Sequence, residues 1–154
     1  MKKKYKEVTD EERDAYIFDL LPFIDLSEAY YVDQFIKIKS GRKISWNWMA
    51  FIFGPFWCMY RKLYALGILH ILLNELLVML NLPMFARLAY YAIFAMFANL
   101  IYLGIIKERL QEKQKLNEVD RVKYQTKNGG TSISATVALG VVIAIIRIVM
   151  YFYG

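Results

Sequence analysis

One cysteine, one histidine and three prolines are all that this 154-residue chain contains of those types. The lone cysteine, Cys58, excludes an internal disulfide and gives no sign of an oxidising compartment. Cys58 and His70 together fall short of the three or four ligands a zinc ion normally takes. On one helix they would stand ~18 Å apart at ~1.5 Å per residue, too far for a nucleophile–base pair. A Gly-rich phosphate loop is missing, and so is any paired acidic motif. The sequence therefore predicts no catalytic residue, no metal ligand and no cofactor.

Charge is missing from two long windows. Residues 88–106 contain none, and neither do residues 128–146. A helix needs about 20 mainly apolar residues to cross a bilayer core of ~30 Å. Apolar residues make up 58% of the chain, against ~45–50% in an average soluble domain. Together these features predict an all-α integral membrane protein. The N-terminus, "MKKKYK", opens like a secretory signal, but "EVTDEERD" follows where a signal needs an apolar core. No cleavable signal is expected. The net charge of +6 fits membrane topology and an anionic inner leaflet, and no nucleic-acid partner is expected.

Three spans are predicted, at 64–82, 86–106 and 133–152, with a cytoplasmic loop over 107–132. Pro83-Met84-Phe85 joins the first two as a tight hairpin. The loop's first half extends the second span into water, and Asn128-Gly129-Gly130 ends it. Thr131 and Ser132 are both candidates to cap the third helix. Of the twenty Lys and Arg, eleven fall in residues 1–62 and seven in 107–128, leaving Arg87 and Arg147. Three spans put the two basic groups on one side, which is cytoplasmic by the positive-inside rule. The N-terminus is then inside and the C-terminus outside.

A fourth span over 46–60 would break that rule. It would also be only ~22 Å long at ~1.5 Å per residue. The stretch "SWNWMAFIFGPFWCMYRKLY" (45–64) reads instead as an aromatic interfacial or re-entrant segment, 45–63. A short helix over 46–53, with Ser45 as a possible cap, turns at Gly54-Pro55. A second helix starts at Pro55 and runs into the first span. Trp46, Trp48, Trp57 and Tyr60 suit the water–lipid boundary, and Arg61 and Lys62 suit headgroup contact by snorkelling. The alternative is a packed foot beneath the bundle.

Residues 1–44 form the third unit, a small amphipathic cytoplasmic lobe. Thr9 and Glu12 are spaced as a capping box, and Ala15, Phe18 and Leu21 follow as an apolar stripe. A second helix runs from Ser27 to about Lys39 with the stripe Tyr31, Phe35 and Ile38, stopped by Gly41. So few residues hold no strong core alone, so the lobe needs the membrane domain or a partner.

The signature Ser45-Trp46-Asn47-Trp48, Phe53-Gly54-Pro55-Phe56-Trp57 and Tyr60-Arg61-Lys62 with Tyr64 resembles that of small bacterial membrane proteins grouped as a domain of unknown function. Tyr30-Tyr31 and "ANLIY" (98–102) add to the likeness. Met49 and Leu63 depart from the usual alanine and methionine. The resemblance implies a multi-pass protein of the bacterial inner membrane. It implies no activity and no site residues.

Five polar residues interrupt the spans: His70, Asn74, Glu75, Asn99 and Arg147. Buried polar groups in membranes face other helices. His70 and Asn99 are expected to face each other at similar depth, and Glu75 and Arg147 to pair near the outer surface. The expected function is a structural or interaction subunit of a membrane complex. Its partners are the bilayer with anionic headgroups on the cytoplasmic side, and a protein or a second copy of the chain. An oligomeric transporter or channel subunit is the alternative, and an intramembrane enzyme the weakest reading.

Overall fold

A computed structural model describes residues 11, 18, 20–24 and 28–153 of the chain. The described secondary structure is helical throughout, with no strand among these residues. Beyond the helical residues 20–24, the elements are α1 (Glu28–Lys39), α2 (Trp48–Phe53), α3 (Pro55–Tyr60), α4 (Tyr64–Met79), α5 (Met84–Gln114), α6 (Glu118–Asn128) and α7 (Ile133–Tyr153). Thr9, Glu12, Ala15 and Ser27, to which sequence features were assigned above, lie outside the described residues.

Helix α5 organises the rest. Its 31 residues make ~46 Å of helix at ~1.5 Å per residue. Its charge-free part ends at Ile106, and its last turns carry Lys107, Glu108, Arg109, Glu112 and Lys113. Helices α1 and α2 pack against it, and α6 doubles back along its polar end. Helices α4 and α7 both pack on the short α3.

The packed core lies where the N-terminal lobe and the aromatic segment meet the inner half of α5. It contains Leu20, Phe23 and Ile24, then Tyr31 and Phe35 of α1, Trp57 and Cys58 of α3, and Ala98, Tyr102, Leu103 and Ile106 of α5. Ile38 packs on its edge. The lobe's first apolar stripe is displaced from its expected position. Phe18 is exposed, and Leu20, Phe23 and Ile24 are the buried residues. Alternation at helical spacing identified a helix there but not which face has a surface to cover.

Two helices, α5 and the one that contains α7, are long and apolar enough to cross a membrane. The 16 residues of α4 form a shorter apolar helix of ~24 Å at ~1.5 Å per residue. Asn81, at φ +51°, turns the chain between α4 and α5.

Several local boundaries differ from expectation. Asn47, not Ser45, caps α2, its Oδ1 accepting from the Ala50 N–H at 2.9 Å. Helix α3 does not continue into α4, because the chain turns at Arg61-Lys62-Leu63 with Lys62 at φ +56°. The break at residues 115–117 is not predicted from the sequence: Asn117 starts α6 there, its Oδ1 accepting from the Asp120 N–H at 2.9 Å. In line with expectation, the first half of the loop 107–132 continues α5 to Gln114, and Ser132 caps α7, its Oγ accepting from the Ala135 N–H at 3.2 Å.

Candidate functional site

The signature segment is bound to α5 through its backbone. Residues 42–47 have no regular structure, which leaves their N–H groups without helical partners. The Ser45 N–H donates to Met96 O and the Asn47 N–H to Ala95 O, both at 3.1 Å. Ala95 and Ala98 are fully buried. Small residues there let one backbone approach another closely.

Asn99 is the hub of the side-chain network. Its Nδ2 donates to the Tyr30 hydroxyl and to Ser45 Oγ, both at 2.9 Å. Its Oδ1 accepts from Asn47 Nδ2 at 2.8 Å. The Tyr30 hydroxyl donates onward to Trp46 O at 2.8 Å. Burial pushes the Tyr30 hydroxyl pKa up, so the group stays a neutral donor. Both amides are fully buried and saturate each other, as buried polar groups must.

Arg61 is buried in a cage of aromatic rings, only 3% exposed. Its guanidinium carbon sits 4.4 Å from the Tyr31 ring centre, 5.4 Å from Tyr60 and 5.6 Å from Tyr102, within cation–π range. Its Nη1 donates to Ile24 O at 2.7 Å. Trp57 Nε1 donates to the Tyr31 hydroxyl at 3.0 Å, tying α3 to α1. Lys62 donates to Thr126 O, Lys127 O and Gly129 O at the end of α6. Arg109 donates to Asn128 O at 2.7 Å and to Lys62 O at 2.6 Å. Cations at a helix C-terminus satisfy its orphan carbonyls and oppose its dipole. Arg61 and Lys62 therefore point into the protein. The expected headgroup contact is corrected because the backbone carbonyls of residues 24 and 126–129 lie within their reach.

Gly54 turns between α2 and α3 at φ +41°, in the left-handed region that favours glycine. A Cβ there would lie 2.6 Å from His70 Nε2 and 2.8 Å from Tyr91 Cε1. Pro55 opens α3 at its first position. His70 is buried against Tyr90, Tyr91 and Phe94, with ring centres 4.9, 4.9 and 4.5 Å away. Its Nδ1 shares a hydrogen bond with the Tyr90 hydroxyl.

The five polar residues of the predicted spans do not form one cluster. His70 and Asn99 occupy separate networks and are not partners. Asn74 Oδ1 accepts from the Tyr91 hydroxyl at 3.4 Å. Glu75 is exposed and lies within electrostatic reach of Tyr91, as does Arg87. Arg147 is exposed on α7. The expected Glu75–Arg147 pair is not made: the one salt bridge among the described residues joins Lys37 to Asp33. The expectation fails because α7 packs on α3 and not on α4. Trp46 and Trp48 stack edge to face, 5.3 Å between centres, with Trp48 exposed.

Beside this network a cleft of about 560 Å³ opens between α1, α2, α3 and α7. Tyr31, Phe53, Phe56, Trp57 and Tyr60 give its walls an aromatic character. No group of three or more His, Cys, Asp or Glu comes together among the described residues. In the sequence, Tyr30, Asn47 and Tyr102 stand out only as parts of the signature and Ser45 also as a possible cap, none is assigned a partner, and nothing is assigned to Arg109. One available signal was Asn47 itself, a polar residue between two tryptophans that needs a partner once buried.

Residues 10–104 match the family described as "Protein of unknown function (DUF2628)". No curated protein and no solved structure matches the chain.

Proposed function

The chain belongs to the DUF2628 family, and from that premise we infer that it is an integral protein of the bacterial inner membrane. It acts there as a structural or interaction subunit of a membrane complex. Helices α4, α5 and α7 are its spans, the N-terminus is cytoplasmic, and the α2–Gly54–α3 turn is re-entrant. The observation that carries this reading is α7. Apart from Arg147, its residues from Val137 onward are uncharged and predominantly apolar on every face, and those from Val141 onward are nearly all exposed. A helix apolar on every side needs an apolar surrounding, and lipid supplies it.

The interior polar groups favour a subunit over a pore. Asn47, Asn99, Ser45 and Tyr30 spend their side-chain polar atoms on one another and on neighbouring backbone. The lobe, carrying α1 and the α5–α6 hairpin, then faces the cytoplasm, where Val119 and Val122 stand exposed for a protein partner.

Crosslinking in native membranes, followed by purification, tests the reading. The expected result is one recurrent protein crosslinked to the lobe or to α6. A closed ring of identical subunits in detergent would replace it with the pore reading. Recovery of the full chain in the soluble fraction would overturn both.

A further inference from the structure

The aromatic cleft is suited to a ligand of a different kind from a polar solute. Its volume of about 560 Å³ falls within the ~300–1,000 Å³ of small-molecule sites. Most of its polar lining is engaged elsewhere. Asn47 bonds Asn99 and Ala50, Tyr30 bonds Trp46 and Asn99, Tyr31 accepts from Trp57, Arg61 donates to Ile24, and Thr136 donates to Ser132. What the cleft offers an occupant is therefore mainly ring faces and the Met49 thioether. At its rim Trp48, Met49 and Phe53 are exposed, and its far wall includes Thr136 of α7. Beside Thr136 on α7, Val137 and Val141 are exposed as well, so exposed apolar residues stand on two of the elements that border the cleft.

We propose that this cleft takes one acyl chain of a bilayer phospholipid, entering sideways between α2 and α7. The chain lies against Trp57 and Phe56 and fixes α7 to α3. The proposal rests on the membrane reading above, and its test separates the two.

The full chain is reconstituted in vesicles of phosphatidylcholine and phosphatidylglycerol with brominated acyl chains, which quench tryptophan only at contact. The wild type, through exposed Trp48, reports contact with the bilayer. The variant Trp46→Phe/Trp48→Phe leaves Trp57, which is 4% exposed, as the only reporter. Both are expected to lose most of their emission relative to unbrominated vesicles. Thr136→Phe in the Trp57-only background, which narrows the cleft from its α7 wall, is expected to restore part of the emission. If the wild type is quenched and Trp57 is not, the cleft holds no acyl chain and the membrane reading stands. If neither is quenched, the membrane reading fails and takes the proposal with it. Quenching of Trp57 that Thr136→Phe leaves unchanged also overturns the proposal. Native mass spectrometry of the wild type needs no variant. Retention of one phospholipid per chain is expected, and a lipid-free chain under the mildest release from detergent would count against the site.

Discussion

Residues 95–106 of α5 and residues 141–152 of α7 are both apolar helix, yet they live in different surroundings. Around Ala95, Ala98, Asn99 and Tyr102 every facing surface is protein. Side chains there interlock, and the polar atoms of Asn99 are matched by Asn47, Ser45 and Tyr30. Along α7, Ile145, Ile148, Val149 and Met150 touch no such surface and stand exposed. Small and polar residues mark the first region, and branched aliphatic residues mark the second. In a bilayer, apolar bulk gains nothing by leaving lipid for protein. Close packing and hydrogen bonds are what hold helices together there. The aromatic segment 45–63 is therefore fastened to α5, while α7 beyond its contact with α3 is not.

The comparison breaks most sharply at Asn99. Asn99→Leu strands three polar partners in a buried site, at ~1–3 kcal/mol for each unsatisfied group in the general case. The folded fraction in detergent is expected to fall to a minor population, read by size-exclusion profile and by unfolding in SDS. A fully stable variant would mean that the network contributes little.

Gly54→Ala is the next largest. It combines an unfavourable φ with a Cβ 2.6 Å from His70 Nε2, and overpacking of this kind costs ~1–3 kcal/mol. The double variant Gly54→Ala/His70→Ala is expected to recover part of that loss in the same unfolding assay. No recovery would place the strain in the backbone alone.

Lys62→Met removes a cation from the end of α6, an effect of ~0.3–1 kcal/mol, up to ~2 where partly buried. Protease sensitivity around Asn128-Gly129 is expected to rise while the α5 network stays intact. Equal sensitivity in variant and wild type would show that Arg109 alone holds α6.

The smallest effect sharpens the contrast. Ile145→Ala and Val149→Ala are expected to change the unfolding midpoint by less than ~0.5 kcal/mol, as surface positions do. A loss of several kcal/mol, of the size seen for buried aliphatic residues at ~2–5 kcal/mol, would reveal a partner helix on α7. Between α5 and α6, burial and then the bond to Glu112 push the Tyr124 hydroxyl up to about 12. The α5–α6 hairpin is accordingly expected to keep its helical circular dichroism unchanged from pH 7 to pH 10.

Much of this was legible in the residues. Charge-free windows and proline positions placed α5, α7 and the Gly54-Pro55 corner closely. The stripe of Tyr31, Phe35 and Ile38, read from helical spacing, is buried at Tyr31 and Phe35 and partly buried at Ile38. Partner choice was not legible. Arg61 and Lys62 resemble any basic pair at a membrane boundary until the carbonyls of residues 24 and 126–129 are brought beside them. Depth counted along two separate helices made Glu75 and Arg147 neighbours. Depth alone says nothing about which helix α7 packs against.

The sequence by itself determined the helical class, the long apolar elements and their breaks. Those follow from local properties: charge, proline geometry and the length of apolar runs. Only the tertiary structure decided that Asn47 and Asn99 are partners, that Arg61 turns inward and that α7 packs on α3. Those outcomes depend on pairing groups far apart in the chain: 52 residues separate Asn47 from Asn99 and 37 separate Arg61 from Ile24. A hydrogen bond's partner is set by where two backbones cross, and no single segment's composition contains that information.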